Sequence, residues 1–338
     1  MKKKLIIIVL AGWFIIPALG QHSPQDKNWQ VVFQDNFNSF NGQRWYKANQ
    51  IHGDEPQHYI PNNITIINNE KLILTTKKEI YTCTKINCNC GNGTFNYTSG
   101  QIVSNAKYKY GYFEIYAKLP SGTAFFPGFW LWDTKMTPPN CFYNEIDIME
   151  ANGCDPTWVS SNFQATFDCL NEERGAKHHI CNYANGSYHW YGVEWDRDKI
   201  TWYVDRKTVR QIYNNEKGIG IQNPMSIIIN LALFPQSWGK CPINNALFPN
   251  YMYIDTANVY CLNCNDKNIV VNEITNFNIF NFAVKKSITM SNNTIIPARS
   301  NISLRATDFI ELKNGFEVPL GAELYLDINP CENIGIIK

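Results

Sequence analysis

Between residue 29 and about residue 260 the chain consists of short runs in which apolar and polar residues alternate, broken by Gly, Pro, Asn and Asp. Residues 71–76, 110–118, 163–167, 188–195, 199–204 and 225–231 are such runs. A period of two belongs to strands with one buried face, and no run of a dozen residues carries a 3.6-residue apolar stripe. In the run 112–118, Phe113, Ile115 and Ala117 would pack inward while Tyr112, Glu114, Tyr116 and Lys118 face the other way. Many evenly spaced strands within ~230 residues predict an all-β fold, an antiparallel β-sandwich of two sheets in jelly-roll style. The missing helices and the missing glycine fingerprint exclude a doubly wound nucleotide-binding fold.

Composition narrows the function classes. Aromatic residues make up 14% of the 338 residues and charged residues only 17%. The aromatic and β-branched content is too high for intrinsic disorder. The net charge is +1, and without the first twenty residues it becomes 27 basic against 29 acidic. No basic stripe exists to follow a phosphate backbone, so nucleic acid is not an expected partner. Residues 1–20 begin with Lys2-Lys3-Lys4, continue through an apolar run and end in Ala18-Leu19-Gly20. That pattern predicts a signal peptide cut after Gly20, export to the medium or the outer cell surface, and no membrane span once it is removed. The uncharged stretch 5–20 is shorter than the ~20 residues of a spanning helix. Eleven cysteines in an exported chain predict disulfides, with Cys261 and Cys264 expected to close a short loop and at least one thiol left over.

Past Cys264 the texture changes to brief apolar beats among Asn, Ile and Thr, at residues 288–290, 294–296, 302–304, 309–312 and 323–326. Such beats predict a small accessory β module over 275–338, stacked like a short solenoid, after a main domain over 27–265. The segment 305–323 resembles a module appended to many exported bacterial proteins.

The most informative segment is Asn144-Glu-Ile-Asp-Ile-Met-Glu150. On a regular strand Ile146 and Ile148 point into the core, Glu145 and Asp147 point out, and Glu150 falls on the core side. A buried unpaired carboxylate there would cost several kcal/mol. One extra residue, a β-bulge near Ile148-Met149, returns Glu150 to the face of Glu145 and Asp147. Acidic residues are depleted in strands and like charges repel across them, so three in six needs a purpose. Retaining glycoside hydrolysis supplies one: a carboxylate attacks the anomeric carbon while another protonates the leaving oxygen.

The segment 145–150 matches the catalytic signature of glycoside hydrolase family 16, in the bulged form of its laminarinase-like members. Residues 110–120 resemble the family's "YGYFEARIKLP" strand and 126–132 its "WPAFWL" strand. Segments 190–195, 200–205, 228–232 and 253–260 follow in family order. The resemblance implies a jelly roll with a cleft across its concave sheet that binds and cuts polysaccharide within the chain. It makes Glu145 the nucleophile, Glu150 the general acid/base, and Asp147 the residue that tunes both. Trp130 and Trp132, on one side of their strand, and the loop residue Trp238 are candidates to stack sugar rings. By resemblance His52, Glu55 and Gln57 lie beside the cleft and would bind hydroxyls. Tyr116 stands where relatives carry an Arg. Asp255 matches an aspartate that helps hold a structural Ca²⁺ in many members, although the usual acidic partner near the first strand is Asn36 here, after Asp35. The chemistry itself requires no cofactor, and a monomer is expected. The expected substrate is β-1,3 or mixed β-1,3/1,4 glucan. The alternatives are a red-algal galactan (agarose, porphyran or carrageenan) or a non-catalytic glycan-binding role. Every matched motif lies upstream of Cys261, so the tail is expected to take no part in the chemistry.

Overall fold

The computed structural model describes residues 29–83, 93–135, 142–167, 178–181, 186–196, 199–213, 223–262, 270–271, 284–290, 293–298 and 301–328. The expected leader at 1–20, and Cys88, Cys90 and Cys264, lie outside them. Among the described residues there is no α-helix, only 3-10 turns at Pro61–Asn63 and Asn245–Leu247.

Two antiparallel sheets carry the fold. One has seven strands in the order His178–Cys181, Trp158–Phe167, Phe142–Ala151, Phe125–Lys135, Met225–Leu233, Gln101–Tyr108 and Trp45–Lys47. The other has ten and is built around Tyr188–Trp195, Gly111–Lys118, Asn250–Leu262 and Lys71–Cys83. The predicted alternation holds on both. Phe113, Ile115 and Ala117 of the larger sheet meet Leu131, Ile146 and Ile229 of the smaller in one buried core. Each such side chain contributes about 1.5–3 kcal/mol by leaving water. Gly111 opens its strand at φ +124°, and a Cβ there would stand 2.6 Å from the backbone oxygen of Tyr260, so only glycine lets these strands meet.

Tyr116 lies on the outer face of the ten-stranded sheet, stacked on Trp190 at 4.8 Å. It is therefore on the opposite sheet from the acidic strand. The cysteines also differ from expectation. Cys261 is a free thiol, so the Cys261–Cys264 bridge is not formed, whereas Cys154 and Cys241, 87 residues apart, are joined. Local spacing could not reveal a bridge between two loops brought together by the sandwich.

The tail forms a third, four-stranded sheet in which all pairings are parallel: Val270–Val271, Lys285–Met290, Asn301–Leu312 and Glu323–Ile328. Ile288 pairs with Ile310, Ile295 with Glu317 and Ile302 with Leu324, each 22 residues further on. A constant offset in parallel register is one coil of chain stacked on the next. Ile288, Met290, Ile296, Leu304 and Ala306 fill its interior.

Candidate active site

The acidic strand Phe142–Ala151 runs between Phe125–Lys135 and Trp158–Phe167. Its register with Phe125–Lys135 pairs Glu145 with Trp132 and Asp147 with Trp130, then slips so that Met149 meets Phe129 and Glu150 meets Gly128. The extra residue is Ile148. Because Trp132, Trp130 and Gly128 alternate along an unbroken strand, Glu145, Asp147 and Glu150 all share their face. The other neighbour repeats the pattern through Gln164, Asn162 and Ser160. Ile146, Ile148 and Met149 go into the core. A bulge interrupts the ladder, and here the indole N–H of Trp202, from the opposite sheet, donates to the backbone oxygen of Asp147 at 2.9 Å. The bulge is thus supported from beneath by a core side chain.

Glu145 and Asp147 are buried, and Glu150 is half-buried. The Tyr143 hydroxyl donates to Glu145 Oε2 at 2.5 Å. Burial, followed by the charge of Glu145, pushes the Tyr143 phenol far above its ordinary pKa, so it remains a donor throughout the neutral range. Tyr143 was not singled out from sequence, although its position two residues before Glu145 on a strand places it on the same face. Removing this donor is expected to matter. Tyr143→Phe should lower kcat by about 10- to 100-fold, the worth of a hydrogen bond to a charged group. The acid limb of its pH–rate profile should move to higher pH, because a carboxylate that loses a donor favours its protonated form. Steady-state kinetics across pH on a soluble glucan would show both effects.

Beside the carboxylates runs a second network. Trp130 donates its indole N–H to Asn230 Oδ1 at 2.8 Å, and Asn230 Nδ2 donates to the Tyr59 hydroxyl at 2.9 Å. Tyr59 in turn donates to Glu55 Oε2 at 2.7 Å, as does Gln57 Nε2. Gln57 Oε1 accepts the backbone N–H of Leu233 at 2.8 Å. Gly128 allows this arrangement, since a Cβ there would stand 2.7 Å from Asn230 Oδ1. A lone Asn in the otherwise apolar run 227–233 was the available sequence signal for this network.

The same network fixes the 52–57 loop. Gln57 is fully buried and Glu55 nearly so, and both are committed to Tyr59, Leu233 and each other. These hydrogen bonds hold the loop. His52 remains open: its side chain is 45% exposed, its ring lies 5.4 Å from that of Trp130, and Nδ1 is 3.6 Å from Glu55. Glu55 raises the imidazole pKa against the opposing effect of burial, and the charge of Glu145 adds to the rise. Trp130 itself is mostly buried against Val103 and Ile228 and forms a floor, while Trp132 stands half-buried beside it at 6.3 Å. Trp238 is the open aromatic, 58% exposed and held edge-on by Phe126 and Phe234. Its loop is tied back by Ser237, which donates to Asp54, and by the Cys154–Cys241 bridge that starts four residues beyond Glu150.

Asp255, the residue matched by resemblance to a calcium ligand, has a lysine beside it. It lies on the ten-stranded sheet with Lys71 Nζ 3.8 Å from its carboxylate. Asp35 is spent on the Phe37 N–H and the Trp45 indole, and Asn36 Oδ1 accepts the Thr256 hydroxyl. Among the described residues no three His, Cys, Asp or Glu side chains gather to hold a metal.

Residues 55–239 match the model of the family Glycosyl hydrolases family 16. The chain is 26% identical over 279 residues to a beta-glucanase of Rhodothermus marinus, covering 75% of this chain and 92% of that protein. It is 32% identical over 186 residues to the glucan endo-1,3-beta-glucosidase A1 of Niallia circulans, covering 48% of this chain but only 26% of that longer protein. Its fold superposes on the laminarinase catalytic domain of Thermotoga maritima with a TM-score of 0.57 at 26% identity, over 69% of this chain and 98% of that one.

Proposed function

This chain belongs to glycosyl hydrolases family 16, and from that premise we propose that it hydrolyses β-1,3 or mixed β-1,3/1,4 glucan within the polymer, with retention at the anomeric carbon. The observation that carries the reading is the bulge at Ile148, which puts Glu145, Asp147 and Glu150 on one face beside Trp132, Trp130 and Gly128. In the proposed mechanism a glucan chain lies across this face. Glu145, oriented by Tyr143, attacks the anomeric carbon. Glu150 gives its proton to the departing oxygen, and the sugar remains bonded to Glu145. Glu150 then takes a proton from water, which attacks the same carbon and releases Glu145. Asp147, between the two, acts on both through its charge.

A neutral substrate is supported by the placement of the lysines. A sulfated galactan calls for free cations along the catalytic face. Lys107 is ion-paired with Asp133, and Lys118 lies over Tyr253 on the opposite sheet. A purely binding role is disfavoured because both glutamates and the bulge that aims them are present. Export through residues 1–20 is part of the same proposal, and the Cys154–Cys241 disulfide supports an oxidising destination. Among the described residues no helix is long and apolar enough to cross a membrane.

A reducing-sugar assay over laminarin, lichenan, agarose, porphyran and carrageenan tests the substrate, with release expected from the first two. Proton NMR of the nascent products tests the chemistry. Two carboxyls on one strand face suit the ~5–5.5 Å separation of retaining enzymes rather than the ~6.5–9.5 Å that makes room for a water. New reducing ends should therefore appear first as the β-anomer. The α-anomer appearing first would remove Glu145 as nucleophile.

A further inference from the structure

The ten-stranded sheet turns one face to the core and the other outward, yet part of the outward face is buried. On Tyr188–Trp195, Val193 and Trp195 point into the core, so Glu194 points out, and its side chain is only 2% exposed. Its neighbour Lys199 is 3% exposed with Nζ 3.8 Å from Glu194, and Tyr203 donates its hydroxyl to Glu194 at 3.0 Å. The group that closes this site comes from the tail. On Asn301–Leu312, Leu304 and Ala306 fill the coil's own interior, so the residue between them, Arg305, points away from the coil. Its side chain is 0% exposed, and its guanidinium lies 3.0 Å from Glu194 and 3.9 Å from Asp196.

We propose that the outer face of this sheet is a docking surface for the chain's own C-terminal coil, with Glu194 and Asp196 as an acidic socket and Arg305 as the plug, so that the tail is a fixed buttress of the sandwich and not a tethered appendage. Among the described residues the cluster holds two cations, Arg305 and Lys199, and two carboxylates, Glu194 and Asp196. Charges this deeply buried are held out of water by opposite partners, and removing Arg305 takes one cation away from Glu194 while Lys199 and the Tyr203 hydroxyl remain. The guanidinium suits the socket because it is less strongly hydrated than an ammonium, and its Nη2 faces both carboxylates. The socket also sits behind the strand pair whose Trp202 supports the catalytic bulge, since Thr201 pairs with Glu194 and Trp202 with Val193. Docking the tail stiffens that pair from outside.

The test uses the full chain. Arg305→Ala should lower Tm by about 5–15 °C, the consequence of removing one cation from a buried cluster of charges. It should also let trypsin release the tail from a sandwich that resists further cleavage. Activity on soluble substrate at 25 °C should stay within about twofold of the parent. The double variant Glu194→Gln/Arg305→Met removes one charge of each sign while keeping an acceptor for Tyr203. It should recover at least half of the lost Tm and restore protection of the tail, a coupling that independent sites would not show. An unchanged Tm and cleavage rate for Arg305→Ala, or simple additivity in the double variant, would overturn the proposal. Should Arg305→Ala not fold, the double variant decides: folded with the tail protected supports docking, and equally unfolded overturns it. Tm and proteolysis read out the dock whatever the substrate proves to be, so its failure is separable from failure of the glucanase reading.

Discussion

Glu145→Gln is expected to abolish turnover, by about 10⁴-fold or more, while leaving the fold and glycan binding nearly intact. The amide has the size of the carboxylate and still offers an oxygen to the Tyr143 hydroxyl, so the strand and its bulge have no reason to move. What it lacks is the negative charge that forms the bond to the anomeric carbon. The parent and the variant should therefore show similar thermal unfolding and similar retardation on a glucan-containing gel, and differ in reducing-sugar release. Turnover within a few-fold of the parent would sink the assignment. The same substitution at Asp147, whose role is to tune its neighbours rather than to bond with the sugar, should cost less.

Glu150→Gln should be crippled in a different way. The loss on a natural glucan should be about 10²–10⁴-fold, the usual weight of general acid–base catalysis. The loss has two parts, because Glu150 first gives a proton to the leaving sugar and then takes one from water. A substrate whose leaving group departs without protonation, such as an activated aryl glycoside, needs only the second part. It should show a rapid first release of the aryl group followed by slow turnover as the glycosyl-enzyme accumulates on Glu145. Stopped-flow absorbance would resolve the burst. A variant equally slow in both phases on activated and natural substrates would assign the proton to another residue. The half-buried setting of Glu150, beside the more deeply buried Glu145 and Asp147, suits a group that must meet both the sugar oxygen and a water.

The alternation of residues 112–118 and 225–231 foretold which side chains face the core, because a strand's period of two is a local property of its backbone. The spacing of Glu145, Asp147 and Glu150 even foretold the bulge: without it a carboxylate would be buried among Ile146, Ile148 and Met149, and that cost is local too. Family membership follows from the same strand and its ordered neighbours. The loop 52–57 shows where local reasoning stops. Its residue types suit sugar hydroxyls, but Gln57 and Glu55 lie under Tyr59 and Asn230, which are 171 residues apart in the chain and hydrogen-bonded in the fold. Alternation likewise placed Tyr116 on the outer side of its strand but could not tell that Trp190 stacks on it there, because it tells which residues share a face and not what lies against that face. The Cys154–Cys241 bridge and the Arg305–Glu194 pair join positions 87 and 111 residues apart, and neither partner's surroundings announce the other. The sequence by itself determined the strands, their inner and outer faces and the acidic triad, all of which depend on neighbours within a few residues. Only the tertiary structure decided which polar side chains are spent on one another, where the tail rests and what supports the bulge, because those contacts exist only once distant segments share the same few ångströms.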